Sequence, residues 1–174
     1  MKVTRLLQFL ILGPVLVSLV IIAEVAVETR MDRMLGFPSF SYVFVNGLLA
    51  SLLLVGGLTL AAISGLLLLR GGRGVPYGDV VKSMQTTQLV KTGPYRFTRN
   101  PMILGYALIL SSVGLYLGSV AGTLVVPVIA LLLLSGWIKL VEEGGLERRF
   151  GEEYRRYRQT VPFLFPTRRR RRQE

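Results

Sequence analysis

The 174-residue chain contains no cysteine and no histidine. Disulfide frameworks, thiolate or histidine zinc sites, cysteine nucleophiles and serine–histidine–aspartate triads are therefore excluded. Acidic residues are also few. The chain has 10 aspartates and glutamates but 21 lysines and arginines, which gives a net charge of +11. In a chain that is 51% hydrophobic, this excess of positive charge indicates anionic lipid headgroups rather than nucleic acid. We expect no metal site and no nucleic-acid partner.

Charged residues are missing from three long stretches, which predict membrane-spanning helices. Residues 6–23 are uncharged and just long enough to cross a membrane. We interpret them as a retained span, because no small-residue cleavage site follows, as a secretory signal would require. Residues 34–69 are also uncharged, but Gly36 and Pro38 predict that the second helix begins only near Tyr42, and it ends at Arg70.

The third uncharged stretch, residues 100–138, is about twice as long as one membrane crossing requires. Gly118, Ser119 and Gly122 lie near its middle, where a tight turn is expected. The stretch therefore predicts a hairpin with one helix at about 101–117 and a second at about 120–140.

The distribution of positive charge predicts the orientation in the membrane. A topology with both termini and the 70–100 loop in the cytoplasm puts 19 lysines and arginines inside and only Arg30 and Arg33 outside. The predicted fold is an all-α integral membrane bundle of about four transmembrane helices. It forms a single domain over residues 1–166, followed by an arginine-rich tail at 167–174.

The segment after the hairpin predicts an amphipathic cytoplasmic helix. Its apolar stripe recurs at helical spacing and consists of Leu146, Phe150, Tyr154, Tyr157 and Val161. Charged residues occupy the opposite face, and Gly151 is expected to break the helix in two. The helix either anchors the chain to the membrane or covers a cofactor, and these roles are compatible. Arg168–Arg172 in the tail are expected to contact anionic lipid headgroups.

Two further glycine patterns indicate structure rather than chemistry. Gly57, Ala61 and Gly65 form a row of small residues that allows another helix to approach closely. The glycines of residues 71–78 match neither a P-loop nor a dinucleotide fingerprint, so we interpret this stretch as a flexible loop.

Polar residues flank the hairpin on its predicted cytoplasmic side. Arg99 precedes Asn100 and Pro101, which suit the N-cap and the first position of a helix. Glu142 and Glu143 follow the second arm. The fold-back should bring Arg99 and these acids together as one site. From the residues alone, Arg99 and Glu142 either pair with each other, mark the interface by snorkelling, or bind a ligand.

The order of motifs around the hairpin resembles the superfamily of isoprenylcysteine carboxyl methyltransferases and phospholipid methyltransferases. The resemblance covers about residues 88–166. The matching motifs are Gly93-Pro94-Tyr95-Arg96, Arg99-Asn100-Pro101-Met102, Gly105, Glu142-Glu143, Leu146, Phe150-Gly151, Tyr154, Tyr157, Val161-Pro162 and Pro166. The first two helices carry no motif of this kind.

The resemblance implies an integral-membrane methyltransferase that uses S-adenosylmethionine without a dinucleotide-binding domain. It implies a catalytic role for Arg99, Asn100 and Glu142. The implied cofactor-binding set is Gly93, Tyr95, Arg99, Asn100, Pro101, Gly105, Glu142 and Glu143, and the implied substrate-binding set is Tyr154, Tyr157 and Arg158. The isoprenylcysteine branch usually has histidine where Asn100 stands and often an aromatic residue at Ile103, so the phospholipid branch is the closer match.

A lipid or lipidated acceptor, either an isoprenylcysteine carboxylate or a phospholipid amine, is the expected substrate. Its tail would remain in the bilayer while its polar head reaches the cytoplasmic site between the second helix and the hairpin. Two alternatives stay open. One is a sterol-type membrane reductase that uses NADPH, and the other is a non-enzymatic membrane adaptor whose charged pair is structural.

Overall fold

Helices dominate the folded part of the chain. The computed structural model describes residues 15, 18–19, 22–28, 30–38, 40, 42–72 and 86–165. The helices there are α1 (Val43–Arg70), α2 (Pro101–Leu117), α3 (Val126–Trp137) and α4 (Glu143–Thr160). Helical residues at 22–28 and 30–35 precede them and are called the N-terminal segment. The described residues contain no strand, which confirms the predicted all-α fold.

Three predictions concern residues outside the described ranges. They are most of the first span at 6–23, most of the glycine loop at 71–78, and the arginine tail at 168–172.

Among the described residues, two helices are long and apolar enough to cross a membrane. They are Val43–Arg70 and a continuous helix, Ala121–Thr160. Only 22% and 6% of their most apolar windows are buried, so their apolar side chains face outward, as in lipid. The helix α2 is apolar but has only 17 residues, as expected for a short hairpin arm. The chain is a membrane protein.

The two helices α1 and α2 pack along the predicted row of small residues. A Cβ atom added to Gly57 would lie 2.7 Å from the carbonyl oxygen of Gly105. One added to Gly105 would lie 2.8 Å from the carbonyl oxygen of Gly57 and 3.0 Å from the nitrogen of Ala61. Such distances are too short for any larger side chain, so the predicted helix–helix contact is confirmed at Gly57 and Ala61.

The hairpin turn occurs where the sequence predicts it. The helix α2 ends at Gly118, whose φ of +71° is the left-handed conformation that glycine adopts without strain. The Ser119 hydroxyl then accepts a hydrogen bond of 2.9 Å from the backbone N–H of Gly122. The chain therefore reverses within a few residues and starts the second arm.

The second arm differs from the prediction at its C-terminal end. A π-helical turn, Ile138–Glu142, joins α3 directly to α4, so the helix does not end near residue 140. The break lies instead at Gly151, with φ 52° and ψ −125° inside α4. This kink confirms the predicted break, and Tyr154 and Tyr157, which follow it, are buried.

Candidate active site

A cavity of about 240 Å³ lies at the open end of the hairpin, where the start of α2 and the end of α3 meet. Its walls come from the end of α1, from the connection and 3₁₀ turn that precede α2, from the start of α2, from the end of α3 and from α4. The lining residues are Leu68, Thr86, Gln88, Leu89, Val90, Tyr95, Arg99, Asn100, Pro101, Met102, Ile103, Tyr106, Leu134, Trp137, Ile138, Glu142, Leu146, Tyr154 and Tyr157. Most of this surface is apolar, with charge concentrated at Arg99 and Glu142.

Arg99 is the charged centre of the site. Its Nη1 is ion-paired with Oε1 of Glu143 and lies 3.3 Å from the hydroxyl of Tyr154. The side chains of Arg99 and Glu143 are only 12% and 14% exposed. The predicted meeting of the two hairpin ends is therefore confirmed. The direct pairing of Arg99 with Glu142, considered above, is wrong, because the neighbouring Glu143 is the partner.

A widened helical turn separates the positions of the two adjacent acids. Residues Ile138–Glu142 form a π-helix, and Glu143 begins α4. A π turn adds a residue to the repeat and so shifts the face on which the next side chains emerge. Glu143 contacts Arg99, whereas Glu142 lines the cavity.

The segment that follows α4 holds the arginine corner in place. The backbone N–H of Arg99 donates to the carbonyl of Pro162 at 3.0 Å, and the Thr98 hydroxyl donates to the carbonyl of Phe163 at 3.1 Å. The Asn100 side-chain amide also donates to the Phe163 carbonyl, at 3.1 Å. The predicted helix start is confirmed, since Asn100 is the N-cap residue of α2 and Pro101 begins it, although the Asn100 side chain makes no capping hydrogen bond.

The ring of Phe163 lies between two cations. The guanidinium carbon of Arg99 is 5.4 Å from the ring centroid, and the Lys139 ammonium is 4.9 Å from it. Both distances are within the range of cation–π attraction. The contact fixes the C-terminal segment against the arginine corner and restricts the guanidinium.

Three tyrosines form the innermost part of the wall. The Tyr157 hydroxyl donates a 2.8 Å hydrogen bond to the backbone carbonyl of Tyr95, and both residues are buried. Burial raises the pKa of Tyr154 to about 12, and the nearby Glu143 carboxylate raises it further while Arg99 opposes the change. Burial likewise raises the pKa of Tyr95 and of Tyr157. All three phenols are therefore protonated near neutral pH and are not bases.

The other predicted site residues have varied positions. Pro101 is fully buried at the first position of α2 and lines the cavity. Gly93 is exposed and opens the 3₁₀ turn that carries Tyr95, with φ +59°. Gly105 lies in the α1–α2 contact rather than in the cavity wall. Arg158 is outside the cavity and forms a 3.2 Å ion pair with Glu147.

Sequence reasoning missed several residues of the wall. Trp137 and Tyr106 bring aromatic rings to the cavity, and residues 86–90 line it from the connection before α2. Arg149 supports that connection by donating to the carbonyl of Thr86 at 3.1 Å. The position of Tyr106 was available as a signal, because Tyr106 follows Ile103 by three residues and shares its helix face.

One polar atom of the site has no partner. The Nε of Arg99 is buried and makes no hydrogen bond to any described residue. A buried charged donor without an acceptor is costly, so this N–H suits an anionic group entering the cavity. The carboxylate of Glu142 in the same wall suits a cationic or hydroxyl group. The site can therefore hold a ligand that carries both signs of charge.

The fold and the site together define a helical membrane protein with a mixed-charge cavity at one end of a hairpin. The family model described as phospholipid methyltransferase matches residues 45–153, more than half of the chain, and the chain belongs to that family. The match includes α1, for which no motif was recognised, and every residue of the cavity wall except Tyr154 and Tyr157. Neither a curated protein nor a solved structure matches the chain.

Proposed function

We propose that the protein transfers a methyl group from S-adenosylmethionine to a lipid or lipidated acceptor at the cytoplasmic face of the membrane. The observation that carries this proposal is the cavity that joins Arg99 and Glu142 to a largely apolar wall within the family match. The phospholipid branch is favoured over the isoprenylcysteine branch, since the family match agrees with the Asn100 and Ile103 differences.

The charged groups of the cavity fit the proposed cofactor. S-adenosylmethionine has an amino-acid end with a carboxylate and an ammonium group, and the unpartnered Nε of Arg99 is a donor for the first. Glu142 is an acceptor for the ammonium group or for ribose hydroxyls. Arg99 can serve both Glu143 and a ligand, because a guanidinium has five N–H donors.

The aromatic residues fit the remaining parts of the cofactor. Trp137, Tyr106 and Tyr154 line the same cavity. Aromatic faces attract cations, so these rings suit a sulfonium as well as the flat adenine. When bound, the cofactor supplies an electrophilic methyl group, and the chain supplies alignment and exclusion of water.

Proton release depends on the acceptor. A carboxylate acceptor is already ionised and needs no base, whereas an amine gives up a proton when it is methylated. The tyrosines of the wall are protonated and cannot take that proton. Glu142 is the carboxylate in the cavity wall, and we assign it this role for an amine acceptor.

The apolar part of the cavity favours a lipid acceptor. Leu134 and Trp137 line the cavity and are also 39% and 54% exposed on the outer surface of α3. Since that surface faces lipid, the cavity borders the bilayer. An acyl or prenyl chain can remain in hydrocarbon while its polar head approaches Glu142, whereas a water-soluble acceptor gains nothing from such a wall.

The test is a methyl-transfer assay with the purified full-length protein in detergent. The protein is incubated with methyl-labelled S-adenosylmethionine and total membrane lipid, and the mixture is extracted with organic solvent. We expect label in the organic phase, lost in Glu142→Gln and retained in the control Glu152→Gln, whose side chain is 63% exposed and outside the cavity. Methylation of water-soluble acceptors alone would contradict the proposal.

Binding of NADPH without S-adenosylmethionine would favour the reductase, and binding of neither would favour the adaptor.

A further inference from the structure

Two glutamates of the N-terminal segment are buried, and three of their four carboxylate oxygens have no hydrogen-bond partner in the part of the chain that the structure describes. Glu24 is 3% exposed and Glu28 is 1% exposed. Neither carboxylate oxygen of Glu24 has a hydrogen-bond partner among the described residues, and Oε2 of Glu28 has none there either. An ionised carboxylate in such surroundings is strongly disfavoured unless a cation or a proton accompanies it. Within the described part of the chain, no ion pair compensates either carboxylate.

Glu28 faces the closed end of the hairpin, and Glu24 lies one helical turn before it. Glu24, Glu28 and Asp32 recur every four residues and so lie on one face of the helix. A Cβ atom added to Gly122 would overlap Oε2 of Glu28, which shows how closely this face packs on the hairpin. Asp32 is already engaged, since its Oδ1 accepts a 2.8 Å hydrogen bond from the backbone N–H of Ala121.

The described helices of the hairpin and of α1 offer no counter-ion. Residues 34–69 and 100–138 contain no charged side chain, and they include nearly all of α1, all of α2, the hairpin turn and α3. Arg30 and Arg33 belong to the N-terminal segment itself, and both are exposed. The positive charge that Glu24 and Glu28 require is not supplied from the helices packed against them.

We propose that Glu24 and Glu28 form a binding site for a single monovalent cation, which is either a shared proton or an alkali metal ion. One positive charge relieves the repulsion between two buried carboxylates that lie one helical turn apart, and leaves one negative charge for the site. A divalent metal ion is a poorer match, because the described residues contain no group of three side chains arranged to ligate one.

This cation site is separate from the methyl-transfer site. Arg99 precedes the first residue of α2, whereas Gly122 follows its last residue. The 17 residues of α2 separate the two ends by about 25 Å, at 1.5 Å per residue. The cation proposal can therefore be tested, and can fail, without reference to methyl transfer.

Infrared spectroscopy of the full-length protein distinguishes a bound proton. The protein is purified in a detergent without ester groups, because ester carbonyls absorb in the same region as protonated carboxyl groups. At neutral pH the wild type should show a protonated-carboxyl band that shifts in D₂O. The band should be absent from the Glu24→Gln/Glu28→Gln double variant and unchanged in Glu152→Gln, which removes an exposed carboxylate.

Thermal unfolding distinguishes an alkali metal ion. The Tm of the wild type is measured in sodium, potassium and choline chloride at equal ionic strength. A bound ion should raise Tm in a saturable way with sodium or potassium but not with choline, and this rise should be lost in the double variant. If the double variant does not fold, Glu24→Gln alone is compared. A wild type with neither the band nor an ion-specific Tm rise would overturn the proposal.

Discussion

The Nη1 of Arg99 forms an ion pair with Oε1 of Glu143, which lies 44 residues later in the chain. The pair ties Arg99, two positions before α2, to the first residue of α4, and so joins the two open ends of the hairpin. Because both side chains are nearly buried, the loss of one charge leaves the other without compensation. The ion pair therefore stabilises the cavity wall and also contributes to the charge of the site.

The first prediction concerns the stability that this ion pair provides. Glu143→Gln should lower the free energy of unfolding by up to about 3–5 kcal/mol, because Arg99 would remain buried without its partner. The matched control is Glu153→Gln, which removes an exposed pair with Lys91 and should cost less than about 1 kcal/mol. Chemical unfolding in detergent measures both. Equal losses in the two variants would show that burial does not strengthen the Arg99 pair.

The second prediction separates ligand binding from stability. Glu142 lines the cavity beside Tyr95 and is not the partner of Arg99. Glu142→Gln should therefore weaken S-adenosylmethionine binding by roughly tenfold to a hundredfold, or about 1.5–3 kcal/mol for a lost charge-assisted contact. Its unfolding free energy should stay closer to wild type than that of Glu143→Gln. Calorimetric titration measures the affinity, and unchanged affinity would show that Glu142 does not bind the cofactor.

The sequence was sufficient to predict the hairpin and the meeting of its ends. A helix of residues 100–138 would far exceed the thickness of a membrane, and glycine at 118 is the residue type that a left-handed helix end prefers. Charged residues lie only beyond the two arms, so Arg99 and the Glu142–Glu143 pair had to come close. These conclusions depend on length and on charge, both of which are visible in the chain.

The partner of Arg99 could not be predicted in the same way. The π turn at Ile138–Glu142 decides which of two adjacent glutamates faces the guanidinium, and no residue type marks such a turn. The position of Gly105 could not be predicted for a similar reason. Its place in the α1–α2 contact depends on which helix packs against Gly57, and helix pairing is a property of the assembled bundle.

The third prediction tests the inner tyrosine wall. Tyr157→Phe removes the donor of the buried 2.8 Å hydrogen bond to the Tyr95 carbonyl. The carbonyl would remain buried without its partner, so we expect a loss of about 1–3 kcal/mol in the free energy of unfolding. Tyr116→Phe is the control, because Tyr116 is 73% exposed. A loss no larger than that of the control would mean that water replaces the hydroxyl.

The fourth prediction concerns stability at alkaline pH. Burial raises the pKa of Tyr154 from 10.0 to about 12, so the fold favours the neutral phenol. The contribution of the neutral Tyr154 phenol to the free energy of unfolding is complete below pH 10, where Tyr154 is protonated in both the folded and the unfolded chain. It is lost between pH 10 and 12, because only the unfolded chain then releases the proton. The stability difference between wild type and Tyr154→Phe should be constant below pH 10 and fall above it, whereas a constant difference up to pH 12 would contradict the raised pKa.

The last prediction concerns the orientation in the membrane, which depends on the 19 to 2 division of positive residues. Since the chain has no cysteine, single cysteines can be introduced and labelled without removing native ones. Tyr42 precedes α1 and is 72% exposed, whereas Thr87 follows α1 and is also exposed. Ser119 at the hairpin turn is a poorer site, because it is buried and its hydroxyl accepts a hydrogen bond from Gly122.

In sealed right-side-out vesicles, Tyr42→Cys should react with a membrane-impermeant maleimide from outside, and Thr87→Cys should react only after the membrane is opened. The reason is that α1 crosses the bilayer between the two positions and its Arg70 end lies on the side richer in positive charge. A cysteine placed in lipid would react poorly from both sides, so each variant is also labelled in detergent to establish that its thiol is accessible. Labelling of both positions from the same side would mean that α1 does not span the membrane. A reversed pattern would keep the span but move the Arg99 cavity to the outer face, where a cytoplasmic supply of S-adenosylmethionine cannot reach it.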